Sequence, residues 1–128
     1  MKLLNRSALM LLPLSPYLAW VNSLPVEVSE LEQPLPEQAL VAEGRVYLVA
    51  EFDSQLGFES QAEADQVLDD ALAGQWQALF ENELAAWDEL GLHWPEPLTR
   101  ALLQQWFEIK PLALAFDADS KPLLTAVL

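Results

Sequence analysis

The chain has 128 residues, 52% of them hydrophobic, with 20 acidic and six basic side chains and a formal charge of −14. That supplies one domain with a core, while the charge opposes direct contact with nucleic-acid phosphates and anionic membrane surfaces. Cysteine is absent, which removes disulfides, thiolate nucleophiles and cysteine-based metal centres and fits a reducing, cytoplasmic setting.

Lys2 and Arg6 ahead of Leu9–Leu14 loosely imitate a secretion signal. Pro13 and Pro16 cut that apolar run below the roughly 7–15 residues such a segment needs. Val21-Asn22-Ser23 is a poor cleavage site, and the run is too short to cross a bilayer. Ser7–Leu12 is therefore expected to be a buried strand. Ser15-Pro16 starts a short helix, with Ser15 as N-cap and Tyr17, Val21 and Leu24 on its core side. Val26–Glu43 is acidic and interrupted by Pro34 and Pro36, so it reads as a surface connection with one helical turn near Glu37–Val41. Arg45–Phe52 is rich in strand formers. Asp53–Phe58, with Gly57, is a loop.

Ser60–Leu90 is the longest periodic stretch. Ala64, Val67, Leu68, Ala71, Leu72, Trp76, Leu79, Phe80, Leu84 and Trp87 recur in steps of three and four, one face of a helix. Glu63, Asp65, Asp69, Asp70, Glu81, Glu83, Asp88 and Glu89 are assigned to the opposite, solvent face. Ser60 and Glu63 form a capping box. Gly74 interrupts the stretch without shifting its phase, which predicts one bent helix or two nearly continuous ones. Gly91 stops it. A further helix is expected over Glu96–Glu108, ended by Pro111. Leu112–Phe116 is strand-like, Asp117–Pro122 a turn, and Leu123–Leu128 a last edge strand or a tail. The order of elements predicts a single α+β domain: a short sheet of three or four strands with its helices on one face and the long amphipathic helix at the centre.

The motifs that carry chemistry are sparse. A single histidine, His93, cannot build a multi-histidine metal site. Glu51 and Asp53 follow one strand, and Asp117 and Asp119 follow another. Were those strands parallel neighbours, the four carboxylates would converge on Mg²⁺ or Ca²⁺ or form an acid/base pair; as turn residues they need no such role. Trp76, Trp87 and Trp106 fit the core, and Trp94, in a loop, is the better contact residue. The acidic helix face could imitate a phosphate backbone and hold a basic protein, but its carboxylates spread around an arc rather than lining up in two rows.

Several short stretches together resemble a family of small uncharacterised bacterial proteins. They are Asn5-Arg6-Ser7-Ala8-Leu9 with Pro13, Pro16-Tyr17-Leu18, Trp20 and Asn22-Ser23-Leu24; Val46-Tyr47-Leu48-Val49-Ala50-Glu51; and Phe80-Glu81, Glu83-Leu84, Trp87, Trp94-Pro95, Arg100, Trp106-Phe107-Glu108 and Phe116-Asp117. Members are sometimes labelled VacJ-like, after an outer-membrane lipoprotein; with no lipobox cysteine this sequence gives that label no support. The resemblance implies a small cytosolic α+β protein without an established activity, and it singles out Arg6, Glu81, Trp87, Trp94 and Arg100 as candidate binding residues. Arg6 and Arg100 are expected to pair with carboxylates. A histidine carried by many members after Trp-Phe-Glu is missing here, where Ile109-Lys110-Pro111-Leu112 stands, so a reaction dependent on it would be lost. The function expected is non-enzymatic, through a protein partner or self-association, with no cofactor. The alternatives are a carboxylate-metal enzyme and an acidic nucleic-acid mimic.

Overall fold

The computed structural model describes residues 1–53 and 57–128. Among them are two antiparallel sheets. β2 (Ser7–Pro13) is the middle strand of a three-stranded sheet, between β3 (Arg45–Val49) and β4 (Phe107–Leu112). β1 (Lys2–Leu3) pairs with β5 (Phe116–Asp117). Four α-helices complete the order: α1 (Ser15–Ser23), α2 (Val26–Ser29), α3 (Gln61–Ala85) and α4 (Arg100–Trp106), with a 3₁₀ segment over Glu37–Glu43. The α+β class and the single small domain expected from the sequence are what is observed.

The two sheets follow each other along one ribbon. Leu3 pairs with Phe116 and Ala8 with Leu112, so five residues on one side match four on the other. The extra residue is a bulge between the two ladders. Beside it, the buried Ser7 hydroxyl donates to Ala113 O at 2.9 Å and accepts from Phe52 N at 2.8 Å. One side chain thus ties the chain leaving β3 and the chain leaving β4 to the start of β2.

Strand alternation sorts the larger sheet into two faces. Leu9, Leu11, Tyr47, Val49, Phe107 and Ile109 face the helices. There they pack with Tyr17 and Val21 of α1, with Leu72, Leu79, Phe80 and Leu84 of α3, and with Leu103 of α4. Ala8, Met10, Leu12, Val46, Leu48 and Leu112 are outside that cluster and take the opposite face. Burial of the inner set, at roughly 1.5–3 kcal/mol for each large side chain, is the main force holding sheet to helices.

Several boundaries differ from the sequence reading. α3 is uninterrupted through Gly74, where an added Cβ would touch nothing within 4 Å. It ends at Ala85 rather than Leu90, because Asp88 turns inward. Its start is as expected, except that Glu63 takes the backbone N–H of Glu59 rather than that of Ser60. Leu14, not Ser15, occupies the N-cap position of α1. The third expected helix is shorter: Thr99 caps it through Leu102 N, and Phe107 opens β4 instead of continuing the coil. Pro111 lies inside β4, paired with Leu9, and is tolerated because β4 is an edge strand. β3 stops at Val49, β1 and α2 were not anticipated, and Leu123–Leu128 is an exposed tail without regular structure. The expected loop Asp53–Phe58 lies partly outside the described residues.

Candidate functional site

The most developed polar constellation is beneath α3. Glu83 falls at an inward position of the helix, between Phe80 and Trp87, and is fully buried. Tyr47 donates its hydroxyl to Glu83 Oε1 at 2.7 Å and Arg45 pairs with Oε2, so both carboxylate oxygens are satisfied. Tyr47 and Arg45 alternate along β3 and reach the same side of the sheet. Asn82 donates to the Tyr47 hydroxyl at 2.9 Å, and Tyr17 donates to the Glu83 carbonyl at 2.8 Å. The group joins α1, β3 and α3. Burial raises the Glu83 carboxyl above its usual range, and the Tyr47 hydrogen bond and the Arg45 charge only partly oppose this. Burial likewise raises both phenols, which stay protonated donors. Chemically this is a lock: both carboxylate oxygens of Glu83 are engaged by donors from β3.

A second knot follows α3. The buried Asp88 accepts from His93 N at 2.7 Å, and its carbonyl accepts from Trp94 Nε1 at 3.0 Å. The His93 carbonyl accepts from Trp20 Nε1 at 3.0 Å. Gly91 adopts a φ of 73°, and a Cβ there would come within 3.4 Å of the Trp94 ring. Trp94, expected as a contact residue, is therefore fixed in a turn and packed against the core. The assignment of Glu83 and Asp88 to the solvent face is corrected by both knots: each carboxylate points inward because backbone or side-chain donors await it.

The other residues singled out from the sequence do not assemble. No hydrogen bond or ion pair joins any two of Arg6, Glu81, Trp87, Trp94 and Arg100 among the described residues. Arg100 pairs with Asp69, as expected of it. Arg6 is in no ion pair among the described residues and donates instead to the Asn5 carbonyl at 2.8 Å. Glu81 accepts from Gln77 one turn away. Trp87 packs against the core, its buried Nε1 lacking a partner among the described residues.

The four strand-end carboxylates are also apart in topology: β3 and β5 belong to different sheets and are not neighbours. Asp117 accepts from Asp119 N and Asp119 from Lys121 N, ordinary turn roles. Among the described residues no three His, Asp or Glu side chains come together in a way that could hold a metal ion. Glu51 and Asp53 instead line a cleft of about 350 Å³ with Val67, Asp70 and Gly74 of α3.

What sequence reasoning missed is the outer face of the sheet. Val46, Leu48 and Leu112 are 39–59% exposed. Register places Leu48, Ala8 and Leu112 in one row across the sheet and Val46, Met10 and Lys110 in the next. The alternation of exposure continues through Leu114 to Phe116, and Phe116 pairs with Leu3 on the adjoining ladder. Those three are 44–61% exposed. Glu108 and Lys110 are the charged side chains of this face and pair with each other at 3.5 Å. The signal was present in the unbroken apolar run of β3, which has large side chains at both alternating sets of positions. Comparison of the chain with protein-family models, with curated proteins and with solved structures gave no match.

Proposed function

We propose that this is a non-enzymatic, protein-binding domain of the cytoplasm, and that the outer face of its sheet is where a protein docks. The observation that carries the reading is the set of half-exposed apolar side chains Val46, Leu48, Leu112, Leu114 and Phe116 on the outer face, flanking the buried Ala8 of β2, in a chain of net charge −14. Contiguous apolar patches beyond a few hundred Å² are uncommon on monomers and mark contact surfaces. A further feature agrees: the buried carboxylates Glu83 and Asp88 accept hydrogen bonds inside the fold.

The test is retention of proteins on immobilised chain, wild type beside Leu48→Asp. Wild type should hold a protein that the variant loses and that binds again when purified. Equal retention by both, with free copies of the chain itself included in the sample, would remove this face from consideration. The acidic side of α3, with Asp65 and Asp70 exposed, supports the mimic reading less well, because Asp69 between them is already neutralised by Arg100. Capture there would weaken steeply with added salt.

A further inference from the structure

We infer that the occupant of the outer sheet face is a second copy of this chain, packed face to face about a two-fold axis; this rests on the protein-binding reading above and names the partner. Two chains of charge −14 repel each other over most orientations. On the outer face the charges of Glu108 and Lys110 compensate each other. An isologous contact requires a patch that is complementary to itself. A neutral, apolar strip meets that condition, and an acidic surface does not. Six side chains, Leu3, Val46, Leu48, Leu112, Leu114 and Phe116, are each 39–61% exposed. Even at the roughly 200 Å² of an aromatic side chain, they offer at most roughly 600 Å² per copy. That approaches the roughly 800 Å² per partner of a standard interface. Sheets packed through such faces form a sandwich layer about 10 Å thick, with alternate side chains interleaved. Ala8, between Leu48 and Leu112, is already buried, so the contact is made by the two flanking leucines.

Sedimentation equilibrium of the full chain over micromolar to millimolar concentration tests this. A monomer–dimer equilibrium is expected, tightening severalfold as salt screens the like charges. Leu48→Asp and Leu112→Asp should each weaken it by more than about tenfold, since each buries an unpaired carboxylate in the contact. Ala78→Asp, which adds the same charge on the exposed side of α3, should leave it within about twofold. Circular dichroism and the thermal midpoint confirm that each variant folds. A chain that stays monomeric throughout overturns the second copy as occupant. In that case, a different protein retained by wild type and lost in Leu48→Asp leaves the protein-binding reading standing. A dimer that survives both face variants overturns the face.

Discussion

Glu83 is a carboxylate at an inward helical position, and what it costs or contributes depends on its partners. Removing Arg45 leaves the charge buried against Tyr47 alone. Arg45→Ala should destabilise the fold by about 2–4 kcal/mol, below the figure for a fully buried pair because the guanidinium is one-third exposed and partly screened. Urea unfolding measures this. Joining Arg45→Met to Glu83→Leu should be less damaging than the sum of the two, with a coupling of about 0.5–3 kcal/mol in a double-mutant cycle. The pH dependence has a definite sign. With the folded value of Glu83 raised, the native state keeps a proton that the unfolded chain has released. The contribution is therefore full below the ordinary 4.5 and is lost as pH rises through the raised value. The stability difference between wild type and Glu83→Gln should show this fall, with Gln lacking it. Sequence reading misplaced Glu83 because periodicity weighs a charge as polar, whereas Arg45 and Tyr47, 38 and 36 residues away, make that position habitable.

At the scale of elements, α3 was the most legible part of the chain. Leu72, Leu79, Phe80 and Leu84 are buried where their spacing places them, and Ser60 caps the start. Ser60→Ala should cost about 1 kcal/mol by freeing the Glu63 N–H. Gly74→Ala should stabilise by about 0.5–1 kcal/mol, because the helix is regular there and a methyl group meets open space. A lower melting temperature for that variant would overturn this expectation. The segment from Glu96 onward was read less well. Leu98, Leu102 and Trp106 keep a helical phase, but Phe107–Leu112 alternates, and the two patterns overlap at Trp106-Phe107. Neighbouring strands decide such a case: Phe107 and Ile109 pair with Pro13 and Leu11, which local spacing cannot anticipate.

For the whole molecule, charge and topology set the behaviour. The described residues contain three ion pairs, and the excess of carboxylates elsewhere repels itself in the compact state. Added salt should therefore raise the thermal midpoint, measured in face variants that cannot associate. The class of fold could be read from the order of apolar runs; the face left open could not, since it depends on where the helices settle. The placement of β2 has a temporal side. It precedes its partner β4 in the chain, and Ser7 bonds to Ala113, 106 residues downstream. At about 5–20 residues per second, a ribosome needs on the order of 5–20 s to deliver that stretch. Throughout that interval β2 is without one of its two flanking strands, so the three-stranded sheet closes only once β4 has been made.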